Sequence, residues 1–434
     1  MNATLLRGVM VGALAGLLFG FDTAVIAGTT EGIRSAFALG ATGVGVTVSS
    51  ALWGTLAGAL FAGIPGDRYG ARASLTVIAL LYLVSGIGCF LAWNWPMLLI
   101  MRVLAGFAVG ASSVLAPVYI AEIAPAERRG MMVGAFQLNV VLGILVAYLS
   151  NYLVSNLQLG AMDWHVKFGV TTLPAVLLLV MMQTIPDSPR WLFAKGREGE
   201  AAAVLGKLGN PDVAGEMAIW RRAEAQTHAA RLSWKRHHRP ILLAIGIAAF
   251  NQLSGINAIL YYLNDIFAAA GFSGVSADKQ AIVIGTCNLV FTALALTVID
   301  RIGRKTLLLI GSVGLTAALA GVAAIFSGST HHEWLLWLLV AFIAFFAFSQ
   351  GAVIWVYISE IFPTDVRARG QSLGSSVHWF MDAVIAFGFP LAAARAHALP
   401  FWLFAAMMAL QFVVVLLFFP ETKRRSLEAI GEAM

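Results

Sequence analysis

The chain has 434 residues, of which 59% are hydrophobic and only 12% charged. Because roughly 45–50% apolar residues are usual in a soluble domain, this composition excludes an ordinary soluble protein and indicates an integral membrane protein. The formal net charge of +6 arises from Lys and Arg residues that gather in alternate loops, which is typical of membrane topology and argues against nucleic acid as a partner.

Apolar runs of transmembrane length follow one another along the chain. A crossing helix needs about 20 residues, because the hydrocarbon layer is about 30 Å thick and a helix rises about 1.5 Å per residue. Twelve such runs predict an all-α membrane protein with twelve transmembrane helices, at 8–29, 44–65, 73–92, 97–120, 131–154, 166–185, 241–265, 280–299, 306–327, 334–359, 370–393 and 399–419. Of the 28 Lys and Arg residues, 23 lie on one predicted side, which places both termini in the cytoplasm.

Three segments occur twice with nearly the same spacing. "GDRYGAR" at 66–72 returns as "IDRIGRK" at 299–305, "YIAEIAPAERRG" at 119–130 as "YISEIFPTDVRARG" at 357–370, and "PDSPR" at 186–190 as "PETKR" at 420–424. Each pair follows corresponding helices in two sets of six. The repeat predicts two six-helix halves in the same orientation, 1–185 and 240–419, joined by a cytoplasmic linker with short amphipathic helices at 186–239 and followed by a cytoplasmic tail at 420–434.

A carboxylate, Asp22, interrupts the first apolar run. It lies ~10 Å below the predicted outer surface, and Arg102 in helix 4 lies ~8 Å below the same surface, so the two opposite charges are predicted to pair. Asp22 also points about 180° away from a seam of small residues that predicts close helix packing, Gly8, Gly12, Gly16, Gly20, Ala24 and Gly28. Ionisable groups at such depths are usually functional, although a purely structural ion pair is the alternative.

Neutral polar side chains are concentrated in later helices. In helix 7, a sector of about 120° contains Asn251, Ser254, Asn257 and Tyr261, and Gln252 joins it only if the helix is distorted, for which Gly255 is a plausible place. Other helices supply Gln137, Asn288, Trp355 and Trp379. Amides that donate and accept hydrogen bonds, together with aromatic rings, suit a neutral polyol such as a sugar, whereas any single amide could instead bridge helices.

Helix 11 offers a second ionisable pair. His378 and Asp382 are four residues apart, so their side chains can touch on one helical face, and His titrates near neutral pH. This pair is the second candidate for a proton-coupling site.

The motifs, taken in order, resemble those of the sugar porter family of the major facilitator superfamily along essentially the whole chain. They include "GFD" in helix 1, "MRVLAG" in helix 4 and "NQLSGIN" in helix 7, besides the repeated loop segments. The resemblance implies the major facilitator fold and sugar transport. It also matches Asp22 and Arg102 to the pair that couples protons to sugar in bacterial symporters, whereas the facilitative glucose carriers of animals have a neutral Asn in place of the carboxylate.

The same resemblance implies a set of sugar contacts: Gln137, Gln252, Asn257, Asn288, Gly351, Trp355 and Trp379, with Phe19 beside the cavity. Asn251 stands where Gln is usual, and His378 replaces a more common amide. Ile144 lies where the xylose symporter has Gln and glucose carriers have Ile, which favours a hexose such as glucose over a pentose.

Charged residues that recur in the cytoplasmic loops of both halves predict a gate, since ion pairs that form on closure would bias a two-state equilibrium. Glu122 and Glu360 each precede an Arg by seven residues. The whole predicted gate comprises Asp67, Arg68, Arg72, Glu122, Arg129, Asp300, Arg301, Arg304, Glu360 and Arg367.

The sequence therefore predicts a plasma-membrane symporter that carries a monosaccharide into the cell with protons by alternating access. Its expected partners are the sugar, protons and the lipid bilayer, and it is expected to act as a monomer without a cofactor or metal. A facilitative sugar uniporter and a non-transporting sugar sensor are the alternatives. An enzyme is not expected, because no GxxxxGK[ST] or HExxH motif is present.

Overall fold

The computed structural model describes residues 2–125, 128–226, 232–328, 330–363 and 366–423, apart from the side chains of 223–226, Leu296, Asp300 and Ala368. These ranges are α-helical, with short 3₁₀ turns and no strands. The helices up to the linker are α1 Ala3–Val25, α2 Thr30–Phe37, α3 Ala41–Phe61, α4 Gly63–Tyr69, α5 Ala71–Phe90, α6 Trp95–Ile123, α7 Arg129–Ser155, α8 Asp163–Val170 and α9 Thr172–Met182.

Three shorter helices lie in the predicted linker: α10 Pro189–Ala194, α11 Glu198–Leu208 and α12 Val213–Gln226. The remaining helices are α13 Trp234–Leu253, α14 Ile256–Tyr261, α15 Leu263–Ala269, α16 Gly274–Ile302, α17 Arg304–Gly328, α18 Leu335–Phe348, α19 Gln350–Ile361, α20 Arg367–Arg395 and α21 Leu399–Phe418. Residues 424–434 of the predicted tail lie outside the described residues.

Eleven helical segments of the described chain are long and apolar enough to cross a membrane. They coincide with eleven of the twelve predicted runs. The remaining run, 280–299, lies inside α16, a helix of 29 residues that includes the undescribed side chains of Leu296 and Asp300. The prediction of a multi-pass all-α membrane protein is therefore confirmed.

Two of the predicted helices are interrupted where they carry polar groups. The seventh is divided at Gly255, whose φ of +81° lies in the left-handed region that glycine adopts without a steric penalty. A Cβ at this position would also meet the ring of Phe404. The tenth is divided at Ser349, which separates α18 from α19. The distortion considered at Gly255 from the sequence is present, and it places Asn251 and Gln252 on one helix and Asn257 on the next.

The described chain forms two compact units. Unit 1 contains Met1–Thr23, Trp53–Ala147 and His165–His228, and unit 2 contains Ala24–Leu52, Tyr148–Trp164 and Ala229–Met434. The apolar core of unit 1 extends from α1, α5, α6 and α7 onto the linker, where it includes Val204, Leu208 and Trp220. The linker helices thus contribute to the core of unit 1.

The small-residue seam of α1 is a packing surface, as predicted. A Cβ at Gly12 would lie 2.6 Å from the Ile120 side chain of α6, and one at Gly16 would lie 2.6 Å from the Phe136 carbonyl oxygen of α7. At Gly20 the backbone of α7 approaches still more closely. Because the seam faces α7 at this level, the opposite face of α1 presents Asp22 to α6.

Candidate functional site

Asp22 and Arg102 form an ion pair inside unit 1, as the sequence predicts. Arg102 Nη1 donates to Asp22 Oδ1 at 3.1 Å and to Oδ2 at 3.3 Å. Their side chains are only 10% and 3% exposed, respectively. An ion pair this deeply buried is sensitive to the loss of either charge, because the remaining partner would stay in a region of low polarity.

The guanidinium of Arg102 has a second neighbour and one unused donor. It lies 5.3 Å from the ring centroid of Phe168 in α8, within the range of a cation–π contact. Its Nε is buried and has no hydrogen-bond partner. The two carboxylate bonds therefore share a single nitrogen, Nη1, and the pair is not the two-nitrogen fork that holds a carboxylate most tightly.

A second polar cluster lies in unit 2, where α13, α14 and α20 meet. Asn257 Nδ2 donates to Asp382 Oδ2 at 2.8 Å, and the Tyr261 hydroxyl donates to the same oxygen at 3.0 Å. Asn257 Nδ2 also lies 3.3 Å from Gln252 Oε1, and Gln252 Nε2 donates to the His378 ring at 3.0 Å. These five side chains form one hydrogen-bonded chain, which we call the helix 7–11 network.

The expected contact between His378 and Asp382 is absent from this network. Although they are four residues apart on α20, His378 bonds to Gln252, whereas the bonds of Asp382 go to Asn257 and Tyr261. His378 lies between two indoles, with ring centroids 5.1 Å from Trp355 and 5.0 Å from Trp379. The break in helix 7 accounts for this arrangement, since it presents amides to both ionisable residues.

The other predicted sugar contacts are distributed over both units. In unit 1, Gln137 is half-buried on α7, and the ring of Phe19 lies 6.5 Å from that of Phe136. In unit 2, Asn251 lies 3.4 Å from Gln252 Nε2 and adjoins the network, whereas Asn288 accepts a bond from Thr292 of its own helix. Gly351 is the second residue of α19. In unit 2, Asn251, Asn257 and His378 thus bond to Gln252, and the indoles of Trp355 and Trp379 pack against His378.

The gate residues of unit 2 pair within that unit. Arg304 donates through Nη2 and Nε to the two carboxylate oxygens of Glu360, at 2.7 and 3.1 Å, a bidentate geometry. Thr422 also donates to Glu360, at 2.7 Å. Arg367 begins α20 and Arg301 is exposed near the end of α16, while the side chain of Asp300 lies outside the described residues.

The gate residues of unit 1 are arranged more loosely. Arg72 lies 3.7 Å from Asp187, an ion pair whose side chains are both about one-third exposed. Asp67 and Glu122 line a cavity of about 410 Å³ that also contains Arg190. The remaining two members are Arg68, whose guanidinium lies 5.2 Å from the Tyr69 ring centroid, and Arg129, which is exposed.

Sequence reasoning missed a clamp at the predicted outer ends of the helices of unit 2. Asp265 of α15 accepts bonds from the Thr30 hydroxyl at 2.6 Å and from the Arg34 guanidinium at 3.0 Å. Burial raises the pKa of the Asp265 carboxyl above its ordinary value, while Thr30 and Arg34 oppose that rise. Uptake of a proton by Asp265 would weaken the clamp.

A second carboxylate strengthens the same region. Asp278 accepts a 2.6 Å bond from Ser155 on one oxygen and a 2.6 Å bond from Asn264 on the other. Ser155 and Asp278 are 123 residues apart, so their contact has no local sequence pattern. A signal was nevertheless present for the neighbouring clamp, because Arg34 is one of the four cations on the predicted outer side, where positive charge is scarce.

Comparison with known proteins matches the chain to transporters over nearly its full length. A family model described as "Sugar (and other) transporter" matches residues 8–434. The "D-xylose-proton symporter" of Escherichia coli is 31% identical, with 97% of this chain and 94% of the relative covered. The "Glucose facilitated diffusion protein" of Zymomonas mobilis is 33% identical, with 98% and 96% covered.

A solved structure gives the same result for the fold. The inward open conformation of the xylose transporter from Escherichia coli superimposes with a TM-score of 0.89 at 30% sequence identity, covering 99% of both chains. The fold is therefore shared with that transporter over 99% of the chain.

Proposed function

Because the chain belongs to the sugar (and other) transporter family, with the major facilitator fold, we propose that it carries a monosaccharide into the cell together with a proton by alternating access. The observation that supports proton coupling is the buried pair between Asp22 and Arg102 in two transmembrane helices. An ionisable group in this environment is expensive to maintain and is usually functional.

The proton would act by changing the charge of Asp22. Protonation removes its attraction to Arg102, whose guanidinium also lies against the ring of Phe168. A proton therefore shifts the relative stability of states in which the two groups are close or apart, and this difference is what couples proton binding to a conformational change. In the deprotonated carrier, the ion pair holds α1 against α6.

The proposed sugar site includes Asn251, Gln252 and Asn257 with the indoles of Trp355 and Trp379. Amides accept and donate hydrogen bonds to hydroxyl groups, and the indole rings offer flat apolar surfaces to the C–H faces of a sugar ring. The resemblance at Ile144 favours a hexose such as glucose. Competition of labelled glucose uptake by xylose and by other hexoses is the direct measurement of this preference.

The test of proton coupling uses reconstituted liposomes with an imposed pH difference. The wild-type protein should accumulate sugar against its gradient, and Asp22→Asn, which loses the proton bound at this carboxylate, should accumulate it to a smaller ratio. The variant should still exchange labelled for unlabelled sugar, because exchange requires the binding site and the conformational change but no net proton movement. An accumulation ratio in Asp22→Asn equal to that of the wild-type protein would refute the role of this carboxylate.

Two controls separate the alternatives. Asp278→Asn, which neutralises a buried carboxylate of unit 2 away from the proposed site, should leave accumulation intact. If the wild-type protein equilibrates sugar but never accumulates it, the chain is a uniporter. If it binds sugar without either exchange or net flux, it is a sensor.

A further inference from the structure

Asp382 is a buried carboxylate in which one oxygen has no hydrogen-bond partner. The residue is 1% exposed, and its Oδ2 accepts both of its recorded hydrogen bonds, from Asn257 and Tyr261. Its Oδ1 is inaccessible to solvent and has no hydrogen-bond partner. A buried polar atom in this condition costs free energy, so the arrangement calls for an explanation.

The other buried carboxylates of the described chain show how different Asp382 is. Asp22 is paired with Arg102, and Asp278 accepts one hydrogen bond on each of its oxygens. The ion pairs of the described residues include none at Asp382. An ionised Asp382 would therefore combine an uncompensated charge with an empty acceptor, which is far more costly than a neutral carboxyl with one unused O–H.

The hydrogen bonds themselves fit the neutral form. In a protonated carboxyl the carbonyl oxygen has two lone pairs, and Oδ2 receives two donors. The hydroxyl oxygen would be Oδ1, which accepts nothing. Of the titratable groups nearby, Tyr261 bonds to the carboxyl, whereas His378 bonds to Gln252 and Tyr262 to the Ala386 carbonyl oxygen.

Both donors to Asp382 belong to α14, the short helix that follows the break at Gly255. Gly255 takes a left-handed conformation, and its N–H bonds to the Gln252 carbonyl oxygen three residues back instead of four, so this is the place where α14 can change direction relative to α13. Movement of α14 away from α20 would remove Asn257 and Tyr261 and admit water to the carboxyl. Hydration stabilises the ionised form, so the position of α14 and the protonation of Asp382 are linked.

We propose that Asp382 is the binding site of a second proton, taken up when α14 closes over α20 and released when water reaches the carboxyl. The step is a simple protonation of the carboxylate at Oδ1, with solvent as source and acceptor of the proton. This inference rests on the proposed function, in which Asp22 carries the first proton. It differs from the pair expected on helix 11, because the partners of Asp382 are Asn257 and Tyr261 and not His378.

Two protons per sugar have a thermodynamic signature. In liposomes with the membrane potential held at zero and a difference of one pH unit, each coupled proton supports a concentration ratio of about tenfold. The sugar ratio at which net flux vanishes should therefore be about 100-fold for the wild-type protein and about tenfold for Asp382→Asn. A tenfold limit in the wild-type protein would overturn the proposal, whereas absence of any accumulation would overturn the symport function itself.

A spectroscopic test does not depend on transport. A protonated carboxyl has an infrared carbonyl band distinct from that of a carboxylate, and we expect one such band in the wild-type protein near neutral pH that is missing in Asp382→Asn. The matched control Asp278→Asn should retain it, because both oxygens of that carboxylate already have donors. Absence of the band from the wild-type protein would overturn the assignment.

A second variant guards against misfolding of Asp382→Asn. Tyr261→Phe keeps the ring and the carboxyl but removes one donor to Oδ2. The carbonyl band should remain and move to higher frequency, as expected when a carbonyl loses a hydrogen bond. A band unchanged by Tyr261→Phe would show that it belongs to another group and would contradict the proposal.

Discussion

Replacing Arg102 with Met gives a direct measure of what the buried ion pair contributes. The variant leaves Asp22 buried without its cation, and such a carboxyl is expected to take up a proton instead of remaining charged. In the unfolded chain this Asp has an ordinary pKa of about 3.9. Keeping it protonated in the folded variant at a higher pH costs about 1.4 kcal/mol for each pH unit above that value. Arg102→Met should therefore lower the free energy of unfolding by about 4 kcal/mol at pH 7 and by about 1.5 kcal/mol at pH 5.

The sign of the pH dependence is specific to this mechanism. The folded variant binds one more proton than its unfolded state, so its stability falls as the pH rises. The double variant Asp22→Asn/Arg102→Met lacks the titrating group and should lose the extra slope. Equilibrium unfolding by SDS in mixed micelles, followed by tryptophan fluorescence at both pH values, measures these differences. Equal destabilisation at pH 5 and pH 7 would refute the reasoning.

Three further predictions concern packing and conformational change. Gly20→Ala would force a Cβ into the backbone of α7 and should destabilise the folded protein. The control Gly40→Ala, with no atom within 4 Å of its added Cβ, should not. Similar melting temperatures for the two variants would contradict close packing along the seam. Gly255→Ala, at a positive φ, should reduce sugar exchange at least tenfold, and unchanged exchange would show that the break is not needed. Asp265→Asn should loosen the clamp. An impermeant maleimide should then label a cysteine placed at buried Ala27 more readily than in the parent protein. Unaltered labelling would argue against a clamp.

The ion pair of unit 1 could be predicted because its geometry follows from simple counting. The positions of Asp22 and Arg102 within their apolar runs put both at one depth, and helices are regular enough for a depth to be read from residue number. The seam of glycines then gave the direction of Asp22. No comparable rule relates His378 to Asp382, since an i,i+4 spacing permits a contact but competing amides from another helix decide whether it forms.

The helix 7–11 network shows where prediction from one sequence stops. An ideal helix put Asn257 and Tyr261 on one face but excluded Gln252, and the position of the break at Gly255 could be suggested without its consequence for Asp382. Which amide reaches which carboxyl depends on the angle through which the chain turns at the glycine. That angle is set by tertiary packing, here against the ring of Phe404, and has no signature in local composition.

The hydrogen bonds that Asn257 makes within the protein affect how strongly this carrier can bind a sugar. Its amide nitrogen is already engaged with Gln252 and Asp382, so a sugar hydroxyl that seeks this donor must displace a partner inside the protein. Such an exchange yields only the small difference between two similar bonds, of the order of 1 kcal/mol or less. Weak net binding from many such exchanges is an advantage here, because a carrier that held its solute tightly would be slow to let it go on the other side.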